Sequence, residues 1–231
     1  MQIEKVKIGS VDIDVRFKPI KNLHLSVHPP YGNVTVSSPD FYDLEKVKIY
    51  LATKLAWIKR EQKKIALQER ESPKLYITKE SHYFFGKRYL LELQEANQPK
   101  ILLNHSKIIL FALKGATIEA KQKTFYNWYR KQLRIKIEEL IDIYSKKMQL
   151  SVPPFKIQKM KTKWGSCSTS NKQLLFNIEL AKKPLKCVEY IVVHEMVHLM
   201  ERNHNKNFVI LMDRYMPDWR IQKKILNELP L

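Results

Sequence analysis

The chain has 231 residues, 44% of them hydrophobic, enough to fill the core of one sizeable domain or two small ones. A formal net charge of +19 favours anions such as nucleotides, nucleic acid or acidic surfaces, yet no RNP-like aromatic motif and no recognisable helix-turn-helix accompanies it, which argues against sequence-specific nucleic-acid binding and leaves weak, salt-sensitive attraction through a basic surface. No apolar run approaches membrane-spanning length, Met1-Gln-Ile-Glu-Lys-Val6 does not read as a targeting segment, and the two cysteines, Cys167 and Cys187, form no disulfide framework, so a cytoplasmic protein without a membrane partner is expected.

Residues 2 to 38 read as strands. Val11–Phe17 and Leu23–Val27 alternate with period two, Pro29-Pro30-Tyr31-Gly32-Asn33 supplies a turn, and Val34–Val36 returns, which predicts an antiparallel meander. Asp43 caps a long amphipathic helix that runs to about Gln68, marked by Val47, Leu51, Leu55, Trp57, Ile58 and Ile65 and ended by Ser72-Pro73. Strand patterns return at Leu75–Ile77, His82–Leu93, Lys100–Leu103 and Lys107–Leu113, and Gly115 closes the section. A second long helix is expected from Thr117 to about Met148, with Phe125, Trp128, Leu133, Ile137, Leu140, Ile141 and Tyr144 on its apolar face.

After Pro153-Pro154, Phe155–Met160 reads as a strand, Ser168–Lys172 as a turn and Gln173–Leu180 as the partner strand, before Pro184 opens the next helix. That helix carries the chemistry. His194-Glu195-Met196-Val197-His198 is an H-E-x-x-H pattern inside the apolar run Val188, Ile191, Val192, Val193, Met196, Val197, Leu199 and Met200. Residues four apart on a helix lie about 40° around its axis and about 6 Å along it, so both imidazoles can reach one zinc ion. Glu195 is then placed to deprotonate a water without holding the metal. Three polar groups on so apolar a helix are costly to bury without a strong shared partner.

A third ligand is expected at His204. On a continued helix it would point about 240° away from His198, so the helix has to end between them, and Arg202-Asn203 is a suitable place because Asn accepts the left-handed conformation. Glu201 is the competing third ligand if the helix runs on. Beyond His204, residues 207–216 form a further amphipathic helix ended by Pro217, in which Tyr215 and Asp213, together with Asp218 and Tyr190, are weaker candidates for supporting roles.

The pattern His194-Glu-x-x-His198-x5-His204, with Thr162-Lys-Trp-Gly-Ser-Cys-Ser168 upstream and Met216-Pro-Asp-Trp219 downstream, resembles the YgjP-like metallopeptidase family of bacteria, a relative of the SprT and WLM zincins. Arg16–Val27 and the hairpin-like Phe85-Gly86-Lys87-Arg88-Tyr89 resemble that family too, and Glu201 stands where metzincins carry glycine. The resemblance implies an α+β fold: a β-rich N-terminal region (1–115) with a long helix, then a zincin-like, minigluzincin-type catalytic region (116–231). It implies one Zn2+ per chain, and it places Lys163, Trp164, Gly165, Ser166 and Cys167 at the substrate. Without the resemblance, Gly165 reads as a bulge and Trp164 as core. The expected activity is zinc-dependent peptide hydrolysis, with Glu195 as general base. A nucleoside triphosphate (UTP) pyrophosphatase and a DNA-associated, SprT-like module are the alternatives.

Overall fold

The computed structural model describes residues 3–28, 31–67, 73–161 and 163–229. The chain divides between Glu71 and Ser72 into two compact units, whereas the sequence pattern suggests a division at 115, which is only the approach to a helix within the second unit. The architecture is mixed α+β, and no helix among the described residues is long and apolar enough to cross a membrane.

In the first unit, β1 (Ile3–Ile8), β2 (Val11–Lys18), β3 (His24–His28) and β4 (Asn33–Pro39) form a sheet in the order β1-β2-β4-β3. The antiparallel meander expected from the alternation is not what forms: β2 and β4 pair in parallel, with Val15 opposite Val36, and β3 is an edge strand antiparallel to β4. The central strands β2 and β4 bury Val11, Ile13, Val15, Val34 and Val36, while β3 is a partly exposed edge. Helix α1 (Leu44–Leu67) starts where the Lys46 amide donates to Asp43 Oδ1 at 2.7 Å, and it buries Val47, Leu51 and Ile58 in the core with Val11, Ile13, Val15, Val34 and Val36. The Pro29-Pro30 part of the expected turn, the helix end near Gln68 and the stop at Ser72 lie outside the described residues.

The second unit opens with the same arrangement. Strands β5 (Ser81–Phe84), β6 (Lys87–Glu95), β7 (Lys100–Asn104) and β8 (Lys107–Ala112) are ordered β5-β6-β8-β7, again with a parallel central pair and again followed by a long helix, α2 (Ile118–Met148). The expected strand His82–Leu93 is two strands folded about Phe85 and Gly86, both at positive φ, as in a tight hairpin, and Leu75–Ile77 is irregular, with Tyr76 at φ 55°. Helix α2 is capped as its sequence suggests, by Thr117 accepting from the Ala120 amide, and it ends at Gln149 in the left-handed region. Its row Phe125, Tyr129, Leu133, Ile137, Ile141 and Tyr144 is core, each such side chain contributing about 1.5–3 kcal/mol of burial.

A small sheet follows, β9 (Phe155–Gln158), β10 (Gly165–Ser168) and β11 (Gln173–Asn177), in the order β10-β11-β9. Here the expected pairing is corrected: β11 runs parallel to β9, and its partner across the turn is β10, while residues 178–180 are a 3-10 turn, not the end of a strand. Three helices complete the unit: α3 (Leu185–Val197), α4 (Lys206–Tyr215) and α5 (Trp219–Glu228), the last not anticipated from the sequence.

Candidate metal centre

The site is built on α3. Nine of its residues are buried, and its start is fixed by the β5–β6 hairpin: the Phe85 and Gly86 amides donate to the carbonyls of Ala181 (2.8 Å) and Lys182 (3.2 Å). A Cβ on Gly86 would lie 2.9 Å from Pro184 Cα, so the hairpin tip can approach only as glycine.

The helix ends at Val197, earlier than the Arg202-Asn203 break expected from the sequence. His198 is the cap residue, and amides of Leu199 and Glu201 donate back to Met196 and Val197 in a closing turn. Asn203 does not adopt the left-handed conformation. The reversal is held instead by short-range polar bonds: Glu201 Oε1 accepts from the Asn203 amide at 3.1 Å, and Asn205 caps α4 by accepting from the Phe208 amide at 3.1 Å. Glu201 is thus engaged in the turn, and His204 is the residue returned towards α3.

His194, His198 and His204 each present a ring nitrogen within 4.8 Å of the other two, and the Nε2 atoms of His194 and His204 are 3.1 Å apart. Three nitrogens about 2.1 Å from one tetrahedral zinc would be about 3.4 Å from each other, so side-chain adjustments of an ångström or so complete the set. Burial and the neighbouring histidines push His194 down to about 3, and burial lowers His198 as well. The rings of His194 and His198 are therefore kept as neutral donors, the form a metal requires. His198 Nδ1 is 3.1 Å from the Glu201 carbonyl, which leaves Nε2 for the cluster. The His194 Nδ1 is buried with no partner among the described residues. Beneath all three rings lies Phe208, its centroid 5.0, 4.8 and 4.6 Å from those of His194, His198 and His204.

Glu195 is 5% exposed, and burial lifts its carboxyl to about 8 against a smaller opposing effect of the Lys163 ammonium. Gly165 of β10 lies directly on it: a Cβ there would be 2.6 Å from Glu195 Oε1. Gly165 pairs regularly with Phe176, so the glycine serves close approach and not the alternative bulge. Cys167, on the same face of β10, has its thiol raised to about 11 by burial and by Glu195. Ser166 alternates to the other face, Trp164 is half-buried with the Lys183 ammonium 5.3 Å from its ring centre, and Lys163 is exposed. Thr162 of the same motif lies outside the described residues. Asp213 is bonded to Trp219 and Arg220, and Asp218 to Gln222, so neither is the partner of a cluster histidine.

Two residues that sequence reasoning passed over support the site. Buried Asn177, at the end of β11, holds the segment before β10: its amide donates to the carbonyls of Met160 (3.0 Å) and Lys163 (2.8 Å), and its oxygen accepts from the Met160 and Glu179 amides. Its signal was a lone Asn closing the apolar run Leu174-Leu-Phe176. Phe208 offered none, reading as one more apolar helix residue.

A family model described as YgjP-like, metallopeptidase domain matches residues 21–229. Among solved structures, the chain is similar to the metallopeptidase zymogen abylysin of Pyrococcus abyssi (17% identity, TM-score 0.35, covering 40% of this chain and 98% of that one). It is also similar to the metallopeptidase zymogen jannalysin of Methanocaldococcus jannaschii (20% identity, TM-score 0.36, 39% and 92% covered). No curated protein matches it.

Proposed function

The chain belongs to the YgjP-like metallopeptidase family, and from that premise we propose that it is a zinc-dependent peptidase in which His194, His198 and His204 hold one metal ion and Glu195 is the general base. The observation that carries this reading is the convergence of three imidazoles beside a buried carboxyl group. Three nitrogen donors suit zinc and leave a fourth position for chemistry, although Mn, Ni or Co fit such a site as well. When bound, zinc supplies Lewis acidity, polarising a scissile carbonyl and making water easier to deprotonate.

The protein's own groups do the rest. Glu195 takes the proton from the attacking water and passes it to the leaving amine nitrogen. Burial raises its carboxyl above the usual carboxylate range, and the positive charge of a bound metal would lower it again towards the ionised form that a base needs. Gly165 keeps any side chain away from Oε1, and Phe208 and the surrounding core exclude bulk water from beneath the rings. The free edge of β10 offers an extended peptide main-chain hydrogen bonds without demanding sequence, beside Lys163, Trp164, Ser166 and Cys167.

The test is to incubate zinc-loaded protein with unfolded casein and with a nucleotide panel, measuring new amino termini and pyrophosphate. New amino termini are expected, and Glu195→Gln should reduce their formation by about 10²–10⁴-fold while metal stays bound. Pyrophosphate release without peptide cleavage would overturn the peptidase reading in favour of nucleotide hydrolysis.

A further inference from the structure

The stretch 149–178, which contains β9, β10 and β11, holds five lysines and no aspartate or glutamate. Three of these lysines bracket the edge strand. Lys161 and Lys163 precede Gly165, and Lys172 lies in the turn after Ser168. All three are exposed, and among the described residues none has a carboxylate within ion-pair distance. Lys163 acts electrostatically on the Glu195 carboxyl, which is buried in the site. Four residues of strand span about 13 Å, so a peptide paired with β10 would leave its paired segment at either end beside an exposed lysine.

We infer that the site selects peptides bearing aspartate or glutamate on both sides of the segment paired with β10, and that Lys161, Lys163 and Lys172 recognise those carboxylates. This rests on the peptidase reading above. A peptide is favoured over nucleic acid as the occupant because the free edge of β10 presents main-chain donors and acceptors in strand register, which a nucleic-acid backbone cannot pair. The lysines then add what an edge lacks, a preference among sequences, and their mutual repulsion is relieved only when an anionic segment arrives.

The test uses the zinc-loaded full chain and three fluorogenic peptides sharing one neutral core, flanked on both sides by Glu, Gln or Lys. The expected order of kcat/KM is Glu above Gln above Lys, with Glu over Lys by about ten-fold at low ionic strength and by little in about 1 M salt, where the Debye length is about 3 Å. Reversing the charges in a Lys161→Glu, Lys172→Glu double variant should invert the order. Equal cleavage of the three peptides, or an order that survives charge reversal, overturns the selectivity and leaves the peptidase standing. Binding to Glu195→Gln protein, followed by anisotropy, separates the two readings. Tighter binding of the Glu peptide with no cleavage by the native protein supports the surface and sinks the peptidase. A single-stranded oligonucleotide that binds more tightly than the Glu peptide overturns the proposal in favour of nucleic acid.

Discussion

Gly165 stands so close to Glu195 that a Cβ on residue 165 would meet the carboxylate's Oε1 at 2.6 Å, Cγ at 2.8 Å and Cδ at 3.0 Å. The strand and the helix that carry these residues are both packed, and Glu195 has no exposed route by which to swing aside. Gly165→Ala should therefore displace the carboxyl group and leave the fold nearly intact. Overpacking of one methyl group costs about 1–3 kcal/mol, and a misplacement of about 1 Å in a reacting group costs about 10²-fold in rate. Measuring kcat/KM beside metal content and melting temperature checks this; full activity in Gly165→Ala would mean that Glu195 is not the general base.

Phe208 predicts a loss of a different kind. Its ring touches all three cluster imidazoles and is 2% exposed, so it fixes where their nitrogens point. Phe208→Leu keeps most of the volume, and zinc affinity in a chelator competition should fall by about 10-fold, as it does when the supports of metal ligands are removed. Phe208→Ala adds the cost of a cavity, about 3–5 kcal/mol. Unchanged zinc affinity in both variants would leave Phe208 as core packing and nothing more.

A pH effect on stability should arise away from the metal centre. His82 is 3% exposed, stacked at 4.6 Å on Phe125, with Nε2 2.7 Å from Glu80 Oε2. Burial lowers its pKa, and the hydrogen bond and charge of Glu80 only partly offset this. The unfolded chain thus takes up a proton near the usual value of about 6.5 before the folded chain does. The neutral ring's contribution is complete above that value and is lost as the pH falls towards the folded pKa, at up to about 1.4 kcal/mol per pH unit. Urea unfolding between about pH 5 and 7 should show a shallower slope in His82→Gln than in the parent. Identical slopes would mean that His82 is not held neutral.

How far the sequence discloses this structure depends on whether the deciding contacts are local. Helix α2 is legible because its row from Phe125 to Tyr144 repeats at the helical period and Thr117 sits where a cap should. The three histidines are legible because a spacing of four on a helix, followed by a break, leaves few other geometries. The exact break is not, since it depends on Glu201 and Asn205 bonding to nearby amides and not on a left-handed Asn203. Strand alternation identifies β2 and β4 but is silent about which strands are neighbours, so the parallel central pairs of both four-stranded sheets had no local signal. Nor did β10, whose Gly165-Ser-Cys-Ser168 lacks strand-forming residues and is held by pairing with β11. Helix α5 was hidden because Pro217 reads as a stop and only Gln222 and Leu226 of the helix are buried.

Asn177 joins that long-range architecture to the chemistry. One buried amide satisfies Met160 twice, Lys163 and Glu179, and so fixes the approach to β10 on which Gly165 depends. In Asn177→Ala those backbone groups lose their partner, and with net values of about 1 kcal/mol per hydrogen bond, and more for a group left buried and unpaired, stability should fall by about 3 kcal/mol. Asn177→Asp is the sharper probe. It keeps the acceptor for the Met160 and Glu179 amides but removes both donors, so residues 160–163 are released while the start of the 3-10 turn stays capped. Activity should then drop well beyond the loss of folded protein, with zinc affinity preserved because α3 and α4 are untouched. Hydrogen exchange in the 159–168 segment, measured alongside kcat/KM, would show both effects together; unaltered turnover in Asn177→Asp would mean that the position of β10 does not control Glu195.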